Sequence, residues 1–336
     1  MDADGMTAGR IVITGASGFT GKHACSYFAA QGYEVVAAVR RPGTAALHGG
    51  GEVREAVCDL SSPVQVSRLL EGERPDMLLH LAGLNSVSGS WEDPLRYMGI
   101  NVMSTLYLLD ALQRAGSGSC RVLVIGSMLG FRLSDGAPPQ PPHPYSLSKT
   151  LQTLSARAWG TLFRLPVMIA QPSNLIGPGL SNGICGLIGA YVVRVERGLH
   201  EPAFRLSSTT EVRDFVDVRD AVRAYELILR SGTPGAVYPI GSGRLRTLGE
   251  VAGRFEALAA TPIGWRIGSQ ADTPLVSLAP QPQPETGREA ARPPSSGTVP
   301  VSPVDPAPMR SLGWQPVIPF EQSAEEILAF FRNGCL

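Results

Sequence analysis

Directly after a short apolar run, Arg10–Thr14, the chain reads Gly15-Ala16-Ser17-Gly18-Phe19-Thr20-Gly21. Three glycines spaced three apart let the backbone turn sharply and approach a bound group closely. A helical stretch near 20–31 follows and ends before Gly32. Its N-terminus would aim open N–H groups and a positive dipole end at the turn. A strand, this turn and a helix are expected to cradle a pyrophosphate, and the bland alternative is a tight structural turn.

The same alternation continues. Val35–Val39 reads as the next strand, with a helix near 62–71, a strand near 77–82, a long helix near 92–115, a strand at 121–126 and a helix from 145. Met168–Ala170 reads as a further strand, and a strand near 214–218 precedes a helix at 221–230. Strands alternating with helices imply an α/β fold, a parallel sheet covered on both faces. Beyond residue 172 the regularity weakens. Residues 269–308 are rich in Pro, Gln, Ser and Gly, read as loop, and the chain closes with a short amphipathic helix at 321–331. The expected division is a dinucleotide-binding domain at 9–172, rejoined by about 213–240. A smaller mixed lobe would comprise 173–212 and 241–336.

Charge and cysteine usage exclude several classes. The 29 basic and 29 acidic residues cancel, so no basic excess points to nucleic acid or an anionic membrane. No apolar run precedes the first strand and none reaches membrane-spanning length, so neither a signal peptide nor a membrane span is expected. The five cysteines and five histidines are scattered. That fits a reducing cytoplasm and speaks against a metal site.

Tyr145 and Lys149, in Pro-Tyr-Ser-Leu-Ser-Lys, stand four apart on one helix face. An ammonium beside a phenol stabilises the phenolate and is expected to draw its pKa down from about 10. Such a tyrosine exchanges a proton at working pH. With a nucleotide cradle upstream, the pair points to hydride transfer. At the end of the second strand stand Arg40 and Arg41. Arginines there can pair with a ribose 2′-phosphate and favour NADP, with NAD possible, or they are solvated surface residues. Asp59 either meets the adenine or caps the next helix. Asp214, Asp217 and Asp220 read as turn and cap residues.

In order along the chain stand Thr14–Gly21, Cys58-Asp59-Leu60, His80-Leu81-Ala82-Gly83, Ser90–Pro94, Asn101-Val102 and Ile125-Gly126-Ser127. Tyr145–Lys149, Asn174 with Gly177-Pro178-Gly179, Arg213–Asp220 and Gly313-Trp314 complete the series. This ordered set resembles the extended short-chain dehydrogenases/reductases of the NAD-dependent epimerase/dehydratase family, over residues 10–250 and thinly in the tail. Within it the runs look most like GDP-6-deoxy-4-keto-mannose reductases.

The resemblance implies a Rossmann-type doubly wound sheet and a nucleotide-sugar substrate. Tyr145 would donate a proton, Lys149 would bind the nicotinamide ribose, and Ser127 would hydrogen-bond the sugar carbonyl. Gly15, Ser17, Gly18, Phe19, Thr20, Gly21, Arg40, Asp59, Leu60, Leu81, Ala82, Gly83, Asn101 and Lys149 would line the cofactor. Asn85, Asn174, Arg213 and Arg292 would join Ser127 and Tyr145 on the substrate. It also implies a homodimer in which the helix near 92–115 and the helix from 145 pair across a two-fold axis, through Leu106, Leu109, Leu151 and Leu154. The alternative is that these leucines only cover the sheet.

The departures matter. A 4,6-dehydratase needs an acid–base pair beside the serine, and here Met128, Leu129 and Gly130 follow Ser127. The family's tail arginine has its nearest match in Arg292-Pro293-Pro294, without the usual acid. The readings left open are a keto-sugar reductase, a 4-epimerase with the same three residues, and a sensor without turnover.

Overall fold

The computed structural model describes residues 8–44, 53–131, 133, 136, 138–268 and 303–334. Arg292 and nearly all of the Pro-rich stretch lie outside the described residues.

The first half of the chain runs β1 (Arg10–Thr14), α1 (Phe19–Ala30), β2 (Glu34–Val39), β3 (Val53–Val57), α2 (Pro63–Glu73) and β4 (Met77–His80). It continues α3 (Val87–Glu92), α4 (Pro94–Tyr97), a π-helical turn (Met98–Met103), α5 (Ser104–Arg114), β5 (Arg121–Ile125), α6 (Pro144–Phe163) and β6 (Val167–Pro172). Then come β7 (Asn174–Ile176), α7 (Ile184–Glu196), β8 (Phe204–Leu206), β9 (Val212–Asp217), α8 (Val218–Ser231) and β10 (Val237–Ile240). The chain ends with β11 (Leu245–Thr247), α9 (Leu248–Leu258), β12 (Trp265–Ile267), α10 (Ala307–Arg310) and α11 (Phe320–Arg332).

Among the described residues seven parallel strands form one sheet in the order β10-β6-β5-β4-β1-β2-β3. Ile11, Val12 and Ile13 are each 0% exposed, because helices cover both faces. Phe28 of α1 and Val222, Tyr225 and Ile228 of α8 pack one face. Val66 and Leu70 of α2, Leu108, Leu109 and Leu112 of α5, and Ala156 of α6 pack the other. The strand order reverses between β1 and β4, so the loops after those strands splay apart and open a crevice at their C-terminal ends.

The smaller lobe holds a three-stranded sheet, β11-β9-β7, and a two-stranded one, β12-β8. Its core joins Ile188 and Val192 of α7 to Phe255 of α9 and Ile327 and Phe331 of α11. The segment expected to rejoin the nucleotide domain, 213–240, divides. β9 lies in the three-stranded sheet, while α8 and β10 return to the large one. The expected long helix near 92–115 is a helical run interrupted by the π turn at Met98–Met103.

Three aspartates fasten the lobes and tail. Asp214 accepts from Ser173 Oγ, Ser242 N and Gly243 N, at 3.0, 2.8 and 2.8 Å. Asp217 caps α8 through Arg219 N and accepts from Ser323 Oγ at 2.7 Å. Asp220, fully buried, accepts from Val317 N and Ile318 N at 2.8 Å each. No helix among the described residues is long and apolar enough to cross a membrane.

Candidate active site

The cradle is shaped by what its glycines lack. Gly15 has φ +70°, and a Cβ there would sit 2.7 Å from Ala82 N. Only glycine lets the turn lie this close to the Leu81-Ala82 backbone. A Cβ on Gly21 would run into Gly15 O and Ala16, so glycine also lets α1 approach the turn. Gly18 precedes α1 with no side-chain cap, and the first turn of α1 holds no acid. The N–H groups at this helix start are open to an anion. An uncapped helix start above a backbone-lined turn fits the diphosphate of a dinucleotide.

Around the turn, Ser17 is exposed and Phe19 and Thr20 are half-buried. Phe19 stands edge-on to His23, whose Nε2 donates to Pro178 O at 2.8 Å. This bond ties the cradle helix to the loop after β7. Burial holds the His23 pKa below its ordinary value. Arg40 stands exposed at the end of β2. Asp59 accepts from Ser61 N at 2.9 Å and from Ser61 Oγ at 2.8 Å, bonds that pull its pKa down, with the Arg40 charge a smaller contributor. Ser62 caps α2, so Asp59 is a turn residue beside the arginine and not the helix cap. Leu60, Leu81 and Ala82 are half-buried along the same edge.

Ser127 follows β5, and Tyr145 opens α6 after the N-cap His143 and Pro144. The fold brings the two together. Tyr145 is 6% exposed, and its phenol lies close enough to the Ser127 hydroxyl for that group to act on its pKa. Ser127 Oγ also accepts from Leu129 N at 3.1 Å, and Thr150 Oγ1 pins the same loop by accepting from Phe131 N at 3.0 Å. Tyr97 meets Tyr145 edge to face at 6.3 Å, and His143 stacks on it at 5.9 Å.

Lys149 lies one turn along α6, 7% exposed. Its ammonium donates to Ile125 O and Gln152 Oε1, each at 2.6 Å, and burial brings its pKa down to about 7. The expected effect of Lys149 on the phenol is therefore corrected. The Tyr145 pKa is raised, first by burial, with Ser127 pulling it back and Tyr97 pushing it up. The lysine's hydrogen bonds go to β5 and Gln152, and the group that favours the phenolate is Ser127.

Asn101, in the π turn, is 0% exposed. It accepts from Leu84 N at 2.8 Å, donates to Leu84 O at 3.1 Å, and donates to Ser148 Oγ at 2.9 Å. A π turn widens the helix by one residue and suits such a contact. Asn101 thereby fixes the loop after β4, and a Cβ on Gly83 would press on its Oδ1 at 3.1 Å.

The substrate-side residues are more dispersed. Asn85 is exposed in the loop after β4. Asn174, exposed on β7, donates through Nδ2 to Asp214 O at 2.9 Å. Arg213 on β9 is held by Glu211, with Nη2–Oε1 at 2.6 Å, so an incoming phosphate shares it with a carboxylate. Arg246 stands opposite Arg213 in the register, paired with Glu321 and 4.6 Å from the Phe320 ring.

Sequence reasoning missed His143, Tyr97, Gln152 and Thr105. The first had a local signal, since it directly precedes a proline at a helix start. Gln152 also had one, because it lies three residues beyond Lys149 on the same helix. Tyr97 and Thr105 reach the site across the fold and had none.

A glycine cradle at the switch point of this sheet, with serine, tyrosine and lysine at the ends of β5 and α6, defines an NAD(P)-dependent oxidoreductase of the extended short-chain type. The chain belongs to the NAD dependent epimerase/dehydratase family, whose model matches residues 11–241. It is 32% identical over 250 residues to GDP-6-deoxy-D-mannose reductase from Pseudomonas aeruginosa, covering 72% of this chain and 77% of that protein. It is 26% identical to UDP-glucose 4-epimerase from Mycolicibacterium smegmatis, over 96% of this chain and 99% of that protein. The solved structure of RMD from Pseudomonas aeruginosa complexed with NADPH superposes with a TM-score of 0.74, at 27% identity and covering 98% of each chain.

Proposed function

We propose that this chain reduces a 4-keto(-6-deoxy) nucleotide sugar, with NADPH as reductant and Tyr145 as proton donor. The observation that carries the reading is the Ser127–Tyr145 pair followed by Met128, Leu129 and Gly130. The pair can polarise and protonate a ketone. The next three residues cannot move a proton at a neighbouring carbon, so loss of water is not supported. NADPH bound in the cradle would supply the hydride.

Tyr145 is suited to giving rather than taking a proton, because burial keeps its phenol protonated at neutral pH. Ser127 Oγ would hydrogen-bond the carbonyl oxygen, a contact that strengthens as the oxygen gains charge. Lys149 would hold the cofactor ribose beside them. Arg40 and Arg41 favour the 2′-phosphate form of the cofactor. Arg213, Asn174 and Asn85 would meet the nucleotide sugar. The proposed division of labour gives the large sheet to the cofactor and the lobe of α7, α9 and α11 to the sugar nucleotide.

A second reading, a 4-epimerase using the same three residues, draws on the full-length similarity to UDP-glucose 4-epimerase. The two differ in whether reduced cofactor is consumed. We also read the protein as a cytoplasmic homodimer joined through α5 and α6. Leu154 is 49% exposed on α6 and available, whereas Leu109 is 0% exposed and covers the sheet. Sedimentation as a monomer at micromolar concentration contradicts the dimer.

The test offers the protein NADPH with GDP- and dTDP-linked 4-keto-6-deoxy sugars, and separately the intact hexose nucleotides with NADP. Loss of the reduced-nicotinamide absorbance with a 6-deoxy sugar as product supports the reading. A 4-keto product made from an intact hexose, or NADPH untouched by every keto sugar, contradicts it.

A further inference from the structure

A closed chain of buried polar groups runs from the active lysine to the lip of the cofactor cradle. Gln152 is 0% exposed, as are Thr14 and Asn101, and Thr105 and His80 are each 1% exposed. We propose that Gln152 is a positioning residue for the reaction. Its side-chain oxygen fixes the Lys149 ammonium, and its side-chain amide ties that lysine through Thr105 and His80 to Thr14. The inference rests on the role of Lys149 beside Tyr145 set out above.

The hydrogen bonds admit one arrangement. An ammonium only donates, so Gln152 must turn Oε1 to Lys149, at 2.6 Å, and Nε2 to Thr105 Oγ1, at 3.0 Å. The single Thr105 proton goes to Asn101 O at 2.8 Å. Thr105 Oγ1 must therefore accept from His80 Nε2, 2.9 Å away. That fixes the tautomer, leaving His80 Nδ1 to accept from Thr14 Oγ1 at 2.7 Å. Thr14 Oγ1 in turn accepts from Ala82 N at 3.3 Å, against the strand end on which Gly15 packs. The ring stays neutral at working pH, since burial and then the Lys149 charge push its pKa down to about 3.

With Ile125 O as its second acceptor, Lys149 keeps one proton free. Gly83 lies beside this ammonium, where a Cβ would stand 3.9 Å from Nζ. The titratable groups near it are the neutral His80 ring on β4 and the Tyr145 phenol on α6. Among the described residues no carboxylate acts on its pKa, which burial alone lowers. Gln152 is thus one of two acceptors that favour the charged lysine, and altering it should move the lysine's titration in a direction set by the replacement.

The chain has two lysines, Lys22 and Lys149, so NMR of protein labelled at lysine Cε follows each separately. Gln152→Leu removes an acceptor and should lower the Lys149 midpoint by about one pH unit, a tenfold change. Gln152→Glu brings a carboxylate and should raise it by about as much. The basic limb of kcat for keto-sugar reduction should move with each midpoint, in opposite directions for the two variants. A purely structural glutamine would lower Tm in both and move neither. Gln152→Glu is nearly isosteric and carries the test if Gln152→Leu does not fold. Unchanged midpoints in folded protein overturn the inference. Shifted midpoints without any keto-sugar reduction leave the lysine tether standing and count against the proposed reaction instead.

Discussion

The cofactor cradle is made almost wholly of backbone, whereas the lobe facing it is held by side chains reaching across the sequence. Gly15, Gly18 and Gly21 act by the absence of a Cβ, within seven residues of one another. On the other side Asp214 reaches Ser242, Asp217 reaches Ser323, and Asp220 reaches Val317 and Ile318. A backbone site depends on local conformation and tolerates little change of shape. A side-chain clamp depends on distant segments docking, and it fails by loss of stability.

The largest effect should come where the two regions meet. Tyr145→Phe keeps the aromatic packing and removes the proton. Turnover should fall by about 10²–10⁴-fold, with dinucleotide affinity nearly unchanged. Full activity in steady-state assays would exclude Tyr145 as the donor.

Next come one change on each side. Gly15→Ala puts a Cβ 2.7 Å from Ala82 N at a φ of +70°. Strain of about 1–3 kcal/mol should appear as roughly tenfold or greater loss of dinucleotide affinity by calorimetry. Asp220→Ala orphans two buried N–H groups and takes the carboxylate away from Arg223, and should cost about 2–4 kcal/mol in denaturant unfolding. If Asp220→Ala weakened dinucleotide binding as much as Gly15→Ala did, the two regions would not be separable.

A smaller effect concerns cofactor choice. Replacing Arg40 and Arg41 with serine should weaken NADPH about tenfold and NADH little, because only the former carries a 2′-phosphate. Equal losses would show that the arginines do not read it.

The smallest is a pH effect at the start of α6. His143 Nδ1 accepts from Ser146 N at 2.9 Å, so the ring must be unprotonated there. Burial lowers its pKa, so the cap holds at neutral pH and is lost as pH falls through that lowered value, below 6.5. Protonation would also set a cation at a helix N-terminus beside Tyr145. Activity should therefore decline on the acid side. His143→Asn, which caps without titrating, should flatten that decline at a cost within about 1 kcal/mol. An unchanged acid limb would remove His143 from the account.

The same contrast explains what the sequence revealed. The parallel sheet was legible because its strands are buried on both faces and punctuated by helices, as in Ile11–Ile13. The placement of the cradle glycines, Ser127 and Tyr145 was legible because each sits at a strand end or helix start, and Lys149 follows Tyr145 by one turn. Helix α7 was not, since Cys185, Ile188, Tyr191 and Val192 are buried around its circumference and leave no polar stripe. The short strands β8, β11 and β12 carry three residues each, too few for a period. The phenol's raised pKa was also hidden. Spacing puts Lys149 near Tyr145, but the acceptors on Ile125 and Gln152 that occupy its ammonium are set by tertiary contact.

The central claim, reduction of a keto sugar by this site, is tested most directly by isotope transfer. A 4-keto-6-deoxy nucleotide sugar is incubated with NADPH carrying deuterium at the transferable position, and the sugar is analysed by mass spectrometry. The account predicts a product bearing one deuterium on the former carbonyl carbon, absent with Tyr145→Phe. A sugar recovered without deuterium while the cofactor stays reduced would contradict it.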